Sequence, residues 1–166
     1  FRAAISADGR YVTFESYATN LVPGEQHAYP YTHVYLHDRV THTTVRISVA
    51  SDGALANSHS YNGAVNADGR YIMFSSDASN LVPGDTNANM DVFVLDRVAG
   101  TLERVSVAAD GTQGNGRSYG RSISPDGRYV SYMSDATNLV AGDTNQRTDV
   151  FLYDSQTRTP ERISVG

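Results

Sequence analysis

The stretch Ile5-Ser6-Ala7-Asp8-Gly9-Arg10-Tyr11-Val12-Thr13-Phe14 returns as Val65-Asn66-Ala67-Asp68-Gly69-Arg70-Tyr71-Ile72-Met73-Phe74 and again as Ile123-Ser124-Pro125-Asp126-Gly127-Arg128-Tyr129-Val130-Ser131-Tyr132. Each copy sets an apolar, β-branched or aromatic run on either side of Asp-Gly, the signature of a tight hairpin. Gly9, Gly69 and Gly127 stand where such a turn calls for positive φ, which glycine adopts without Cβ strain. Outward from this stretch the repetition widens to whole segments. Residues 1–49, 61–107 and 119–165 align, the second and third without a gap, the first with two extra residues between Gly24 and Val34. Residues 50–60 and 108–118 are equal in length, share Asp-Gly, a later Asn and a final Ser, and read as linkers.

Every segment carries four strand-like runs separated by turn signals, twelve in all. The first run is short and rich in small residues (Ala3, Ala4, Gly63, Ala64, Ser122), as expected of a strand crowded around a central axis. The second follows Asp-Gly-Arg. A polar loop leads to the third (34–36, 92–95, 150–153), and the fourth ends in Arg46-Ile47-Ser48-Val49, Arg104-Val105-Ser106-Val107 and Arg162-Ile163-Ser164-Val165. That alternation places apolar side chains on one face and polar ones on the other. No helical period is sustained anywhere, so the chain is expected to be all-β.

These repeats resemble the TolB-like (PD40) β-propeller family, on the Ser-x-Asp-Gly-Arg-Tyr motif and its flanks, over nearly the whole chain. The resemblance implies one four-stranded antiparallel blade per repeat, the strand before Asp-Gly innermost and the Arg-Ile/Val-Ser-Val strand outermost. The long Asn-Leu-Val-x-Gly-Asp-Thr-Asn loop departs from the shorter family pattern and resembles a secreted bacterial variant, which implies an extracellular or periplasmic location. TolB-like propellers contact proteins and related ones sit beside hydrolase domains; no partner-contacting residue carries over.

Propellers have about four to eight blades, and three would leave apolar blade faces in water. The ring is therefore expected to be completed by a second copy, giving a six-bladed homodimer, or by further blades of a longer chain. The start at Phe1 instead of Met suggests a processed or truncated product. Joining Gly166 to Phe1 of another copy would omit about ten residues of linker, judged against 108–118.

Composition narrows the function. With 166 residues, 40% of them hydrophobic, the chain can bury a core. A net charge of -5 with interspersed signs offers nucleic acid no basic patch. The absence of cysteine excludes disulfides, thiolate metal sites and a cysteine nucleophile. No apolar run approaches the roughly 18 residues of a membrane-spanning helix.

The loops before the third strand carry the most suggestive chemistry. Asp85, Asn87 and Asp91, repeated as Asp143, Asn145 and Asp149, set two carboxylates and an amide around a tight loop. Calcium takes six to eight hard oxygen ligands of this kind, with Asp77, Asp135, Asn80 and Asn138 as further donors. The alternative is that Asp-Thr-Asn forms Asx turns capping backbone N–H groups. The first repeat replaces these residues with Glu25, His27, His33 and Tyr17, so calcium is expected to fail there. Its Glu25, His27, His33, His37 and His42 would suit zinc or copper; otherwise the loop has drifted to His and Tyr, with Tyr29 and Tyr31 able to stack on a sugar.

The Asp-Gly-Arg turns read as structural Asp–Arg pairs (Asp8 with Arg10, Asp68 with Arg70, Asp126 with Arg128). A catalytic site would need unlike residues converging from different blades. Here like residues recur, and no histidine lies beyond His59. The expected function is a non-catalytic binding or scaffold module for a protein or glycan, stabilised by calcium. A lectin is the alternative, and a propeller-type hydrolase or lyase the third.

Overall fold

The computed structural model describes residues 2–23 and 31–164. They form twelve strands and no helix, grouped as three separate four-stranded antiparallel sheets. The first contains β1 (Ala3–Ile5), β2 (Tyr11–Ser16), β3 (His33–Asp38) and β4 (Thr43–Arg46). The second contains β5 (Ser60–Val65), β6 (Tyr71–Ser76), β7 (Asp91–Asp96) and β8 (Thr101–Arg104). The third contains β9 (Ser118–Ile123), β10 (Tyr129–Ser134), β11 (Asp149–Asp154) and β12 (Thr159–Arg162). Strands pair in chain order within each sheet, and the first strands β1, β5 and β9 neighbour one another, which is the innermost position of a propeller.

The hairpins close as the motif demands. In the first, Gly9 at φ 72 sends its N–H to the Ser6 carbonyl at 2.9 Å, while Asp8 accepts from the Ser6 hydroxyl at 2.5 Å and the Arg10 backbone at 2.9 Å. The fourth strands end earlier than the alternation suggested: the ladder stops at Arg46, Arg104 and Arg162. Ile47 and Val105 nevertheless continue to bond, through the Val34 and Val92 carbonyls, at 2.8 Å each.

The core lies between blades. Val34, Leu36 and Ile47 of the first sheet pack against Ile72, Phe74 and Phe93 of the second; Met73, Val92 and Val105 pack against Val130, Tyr132 and Phe151 of the third. Full burial of each such side chain contributes about 1.5–3 kcal/mol. On the leading face of every blade an aromatic pair stacks at 5.6 Å: Phe14–Tyr35, Phe74–Phe93 and Tyr132–Phe151.

The tyrosines after the first two Asp-Gly-Arg turns, Tyr11 and Tyr71, lie on the next blade's turn. A Cβ on Gly69 would sit 2.1 Å from the Tyr11 ring, and one on Gly127 2.1 Å from the Tyr71 ring. These glycines thus serve both the positive φ and the seam.

The end blades show their unmatched faces. Val150 is 38% exposed and Ile163 49%, whereas Val92 is 0% and Val105 1% exposed at the same places in the second blade. At the other end Ile5 is 59% exposed where Val65 and Ile123 are 9% and 8%.

Candidate functional site

The loop of the second blade, residues 84–91, is built on a turn and an arginine. Gly84 and Ala88 take positive φ (73 and 54), and the Asn87 Oδ1 accepts the Asn89 backbone N–H at 3.0 Å, an Asx turn. The other end of the Asn87 amide donates to Asp91 Oδ2 at 3.0 Å. Asp91, fully buried, also accepts the Ser106 hydroxyl at 2.5 Å. Between the carboxylates comes a guanidinium: Arg104 Nη1 lies 3.0 Å from Asp85 Oδ1 and 3.3 Å from Asp91 Oδ2.

The third blade repeats the clamp. Asn145 Oδ1 accepts the Arg147 N–H at 2.9 Å, its amide donates to Asp149 at 3.0 Å, and Ser164 donates to Asp149 at 2.6 Å. Arg162 Nη1 lies 2.9 Å from Asp143 Oδ1 and 3.7 Å from Asp149 Oδ2. The two loops differ in electrostatics. Burial pushes the Asp85 carboxyl up, with Asp91 adding repulsion, and burial likewise pushes Asp91 up. The Ser164 hydroxyl instead holds Asp149 below the usual carboxylate value.

The structure therefore brings Asp85, Asn87 and Asp91 together, and Asp143, Asn145 and Asp149 together. It does not add the further carboxylates. Asp77 pairs with Arg117 at 3.1 Å, and Asp135 accepts from Thr148 at 2.6 Å. Asn80 and Asn138 clip the linkers instead, their amides donating to the Leu55 and Gln113 carbonyls at 2.7 and 2.8 Å. Among the described residues no group of three or more His, Asp or Glu is arranged to hold a metal ion. The donor set does not fit calcium: the amide oxygens accept from backbone N–H groups, and the carboxylates already face a cation.

In the first blade Glu25, His27 and Tyr29 lie outside the described residues. His33 takes the place of Asp91, its Nδ1 3.1 Å from the Ser48 hydroxyl, and His37 Nδ1 lies 3.0 Å from Thr44 Oγ1. His42 occupies a turn at φ 56. His59 accepts the Thr32 N–H at 3.0 Å, stacks on Tyr61 at 5.7 Å and meets Tyr17 and Tyr31 edge-on at 6.1 and 5.3 Å. The corresponding seam between the second and third blades holds the Asp77–Arg117 pair, with Arg117 over the Tyr119 ring at 5.8 Å.

The Asp-Gly-Arg turns correct the expected pairing. Arg10, Arg70 and Arg128 reach not to the aspartate two residues back but across to Asp38, Asp96 and Asp154 on the third strands, each by two bonds of 2.6–3.0 Å. Arg70 holds Asp96 down to about 2 and Arg128 holds Asp154 down to about 2. Sequence reasoning passed over these aspartates, and over Arg104, Arg162 and Gln113. The first five recur with the repeat, a signal that was present. Gln113 does not, since Leu55 holds its place in the other linker.

No family model matches the chain, and no curated protein matches it. Solved structures do, and they show the β-propeller fold. TolB from Acinetobacter baumannii superposes with a TM-score of 0.60 at 17% identity, over 99% of this chain and 32% of that one. A TolB from Agrobacterium tumefaciens gives 0.57 at 15% identity, over 98% of this chain and 49% of that one. The β-propeller domain of the Trilobed protease from Pyrococcus furiosus gives 0.57 at 11% identity, over 98% and 41%. The chain thus spans 32–49% of the length of these three structures.

Proposed function

We propose that the chain is part of a non-catalytic propeller, built of PD40-type blades and acting in the periplasm or outside the cell, that binds a macromolecular partner at its loop end. The observation that carries this reading is the seam of Tyr17, Tyr31, His59 and Tyr61. The clamps recur from blade to blade and serve the fold; this seam breaks the repeat, replacing an ion pair with a partly exposed aromatic cluster. Aromatic rings with polar tips supply large, rigid contact area for recognition. A protein is the favoured partner. The same cluster supports a second reading, a lectin, since flat aromatic faces also suit sugar rings.

Capture from a periplasmic extract by the chain and by its Tyr61→Ala variant tests the first reading, and a glycan array the second. Protein capture lost in the variant supports the scaffold, and array signal lost in the variant supports the lectin. Binding to both that ignores Tyr61 would overturn the assignment of the seam. In this reading Arg104 and Arg162 supply the charge that calcium was expected to bring, and the exposed end faces carry the rest of the ring.

A further inference from the structure

In the second blade the clamp has an occupant. Gln113, from the linker that follows the blade, inserts its carboxamide into loop 84–91. Its Oε1 accepts from the Thr86 and Asn87 backbone N–H groups and from Arg104 Nη1, each at 3.1 Å. Its Nε2 donates to the Gly84 carbonyl at 2.6 Å and the Thr86 hydroxyl at 3.1 Å. Every polar atom of a primary amide is thus matched, donors on one side and acceptors on the other.

The third blade presents the same groups: the Thr144 and Asn145 N–H, Arg162, the Gly142 carbonyl and the Thr144 hydroxyl. No hydrogen bond reaches the Thr144 or Asn145 backbone N–H among the described residues, and Asn145 is exposed where Asn87 is half-buried. Asp143, 7% exposed, also has an Oδ2 with no hydrogen-bond partner, although Gln113 makes no bond to the equivalent Asp85 in the filled loop. The open positions are the Thr144 and Asn145 N–H groups, whose counterparts at Thr86 and Asn87 are taken by Gln113.

We infer that loop 142–149 with Arg162 is a seat for the carboxamide side chain of a linker segment running on from β12 into a further blade. Charge selects the class of ligand. Asp143 and Asp149 outweigh Arg162, so a carboxylate or phosphate is repelled, while the inward N–H groups turn away a bare cation; a neutral amide meets both conditions. The choice of a linker over a second copy rests on continuity. The occupied seat is filled from the strand just left, by way of the Val107–Gln113 bridge, and the open Val150 and Ile163 face adjoins the empty one. This inference is independent of the aromatic seam.

The test extends the whole chain after Gly166 with the sequence of residues 109–118, carrying either glutamine or leucine at its fifth position. The glutamine extension is expected to melt about 4 °C above the leucine one, the effect of a few hydrogen bonds to charged and backbone groups in a chain of this size. Arg162→Ala should erase that difference, and Thr144 and Asn145 amide exchange should slow only with glutamine. Equal melting and equal exchange for both extensions would overturn the inference. So would a dimer of the unextended chain in which those amides are already protected.

Discussion

Loops 84–91 and 142–149 share the Gly-Asp-Thr-Asn start, the Asx turn, the serine and the arginine, and still they are different environments. The first lies under the linker that carries Gln113 and under the third blade; the second is the more exposed at Asn145. Asp91 is pushed up by burial where Asp149 is held down by its serine. The difference teaches that a blade's own residues build its clamp, while its dielectric surroundings come from whatever follows it.

The most severe way to break this comparison is to remove the arginines. Arg104→Ala strands two carboxylates, one of them fully buried, and should cost about 4 kcal/mol in urea melts; Arg162→Ala, whose guanidinium is the more exposed although its carboxylates are also buried, should cost about 2 kcal/mol. Similar losses would mean that cover does not matter. The turn glycines offer the same contrast. Gly127→Ala meets both positive φ and the Tyr71 ring and should cost about 3 kcal/mol, against about 1 kcal/mol for Gly9→Ala, whose Cβ would find nothing nearer than 3.7 Å.

A finer probe is Gln113→Leu, which copies the other linker and should cost about 2 kcal/mol by leaving the Thr86 and Asn87 N–H groups without their acceptor. Carboxyl titration followed by NMR sharpens the electrostatic side: Asp149 should titrate below the ordinary carboxylate value of 3.8 and Asp91 above it. A single shared midpoint would contradict the contrast. The signs for stability are opposite. Asp149, with a depressed folded value, contributes stability above pH 3.8 that is lost as pH falls through its folded value. Asp91, with a raised one, gains stability as pH falls through its own. The smallest expected effect is that of calcium: millimolar calcium or chelator should leave the melting temperature unchanged, and a calcium-dependent rise abolished by Asp85→Ala would show that the ion displaces Arg104.

The blades were legible because each hairpin carries its own Asp-Gly and each strand its own alternation, so three copies restate one local rule. The loops were legible as loops, and the Asx turns at Asn87 and Asn145 were among the readings their composition allowed. What fills the space between the carboxylates was not. Arg104 stands on a strand laid beside the loop by sheet pairing, and no spacing along the chain says that its guanidinium turns inward. The Asp8–Arg10 pairing misled for a related reason. Closeness in sequence around a turn favours the backbone N–H as partner for the aspartate, while the long arginine reaches the neighbouring strand at Asp38. The linker glutamine was hardest to foresee, being a single departure within a repeat.

The tyrosine-on-glycine seam has a consequence for how such a chain grows. Tyr11 and Tyr71 each reach forward to the turn glycine of the next blade, so this contact is directional and the same at both joints, whatever else lines the seam. Duplicating or deleting a whole repeat would leave every remaining joint as well made as before. Blade number is then set by the curvature at which the last tyrosine meets the first glycine, since only a closed ring covers both end faces.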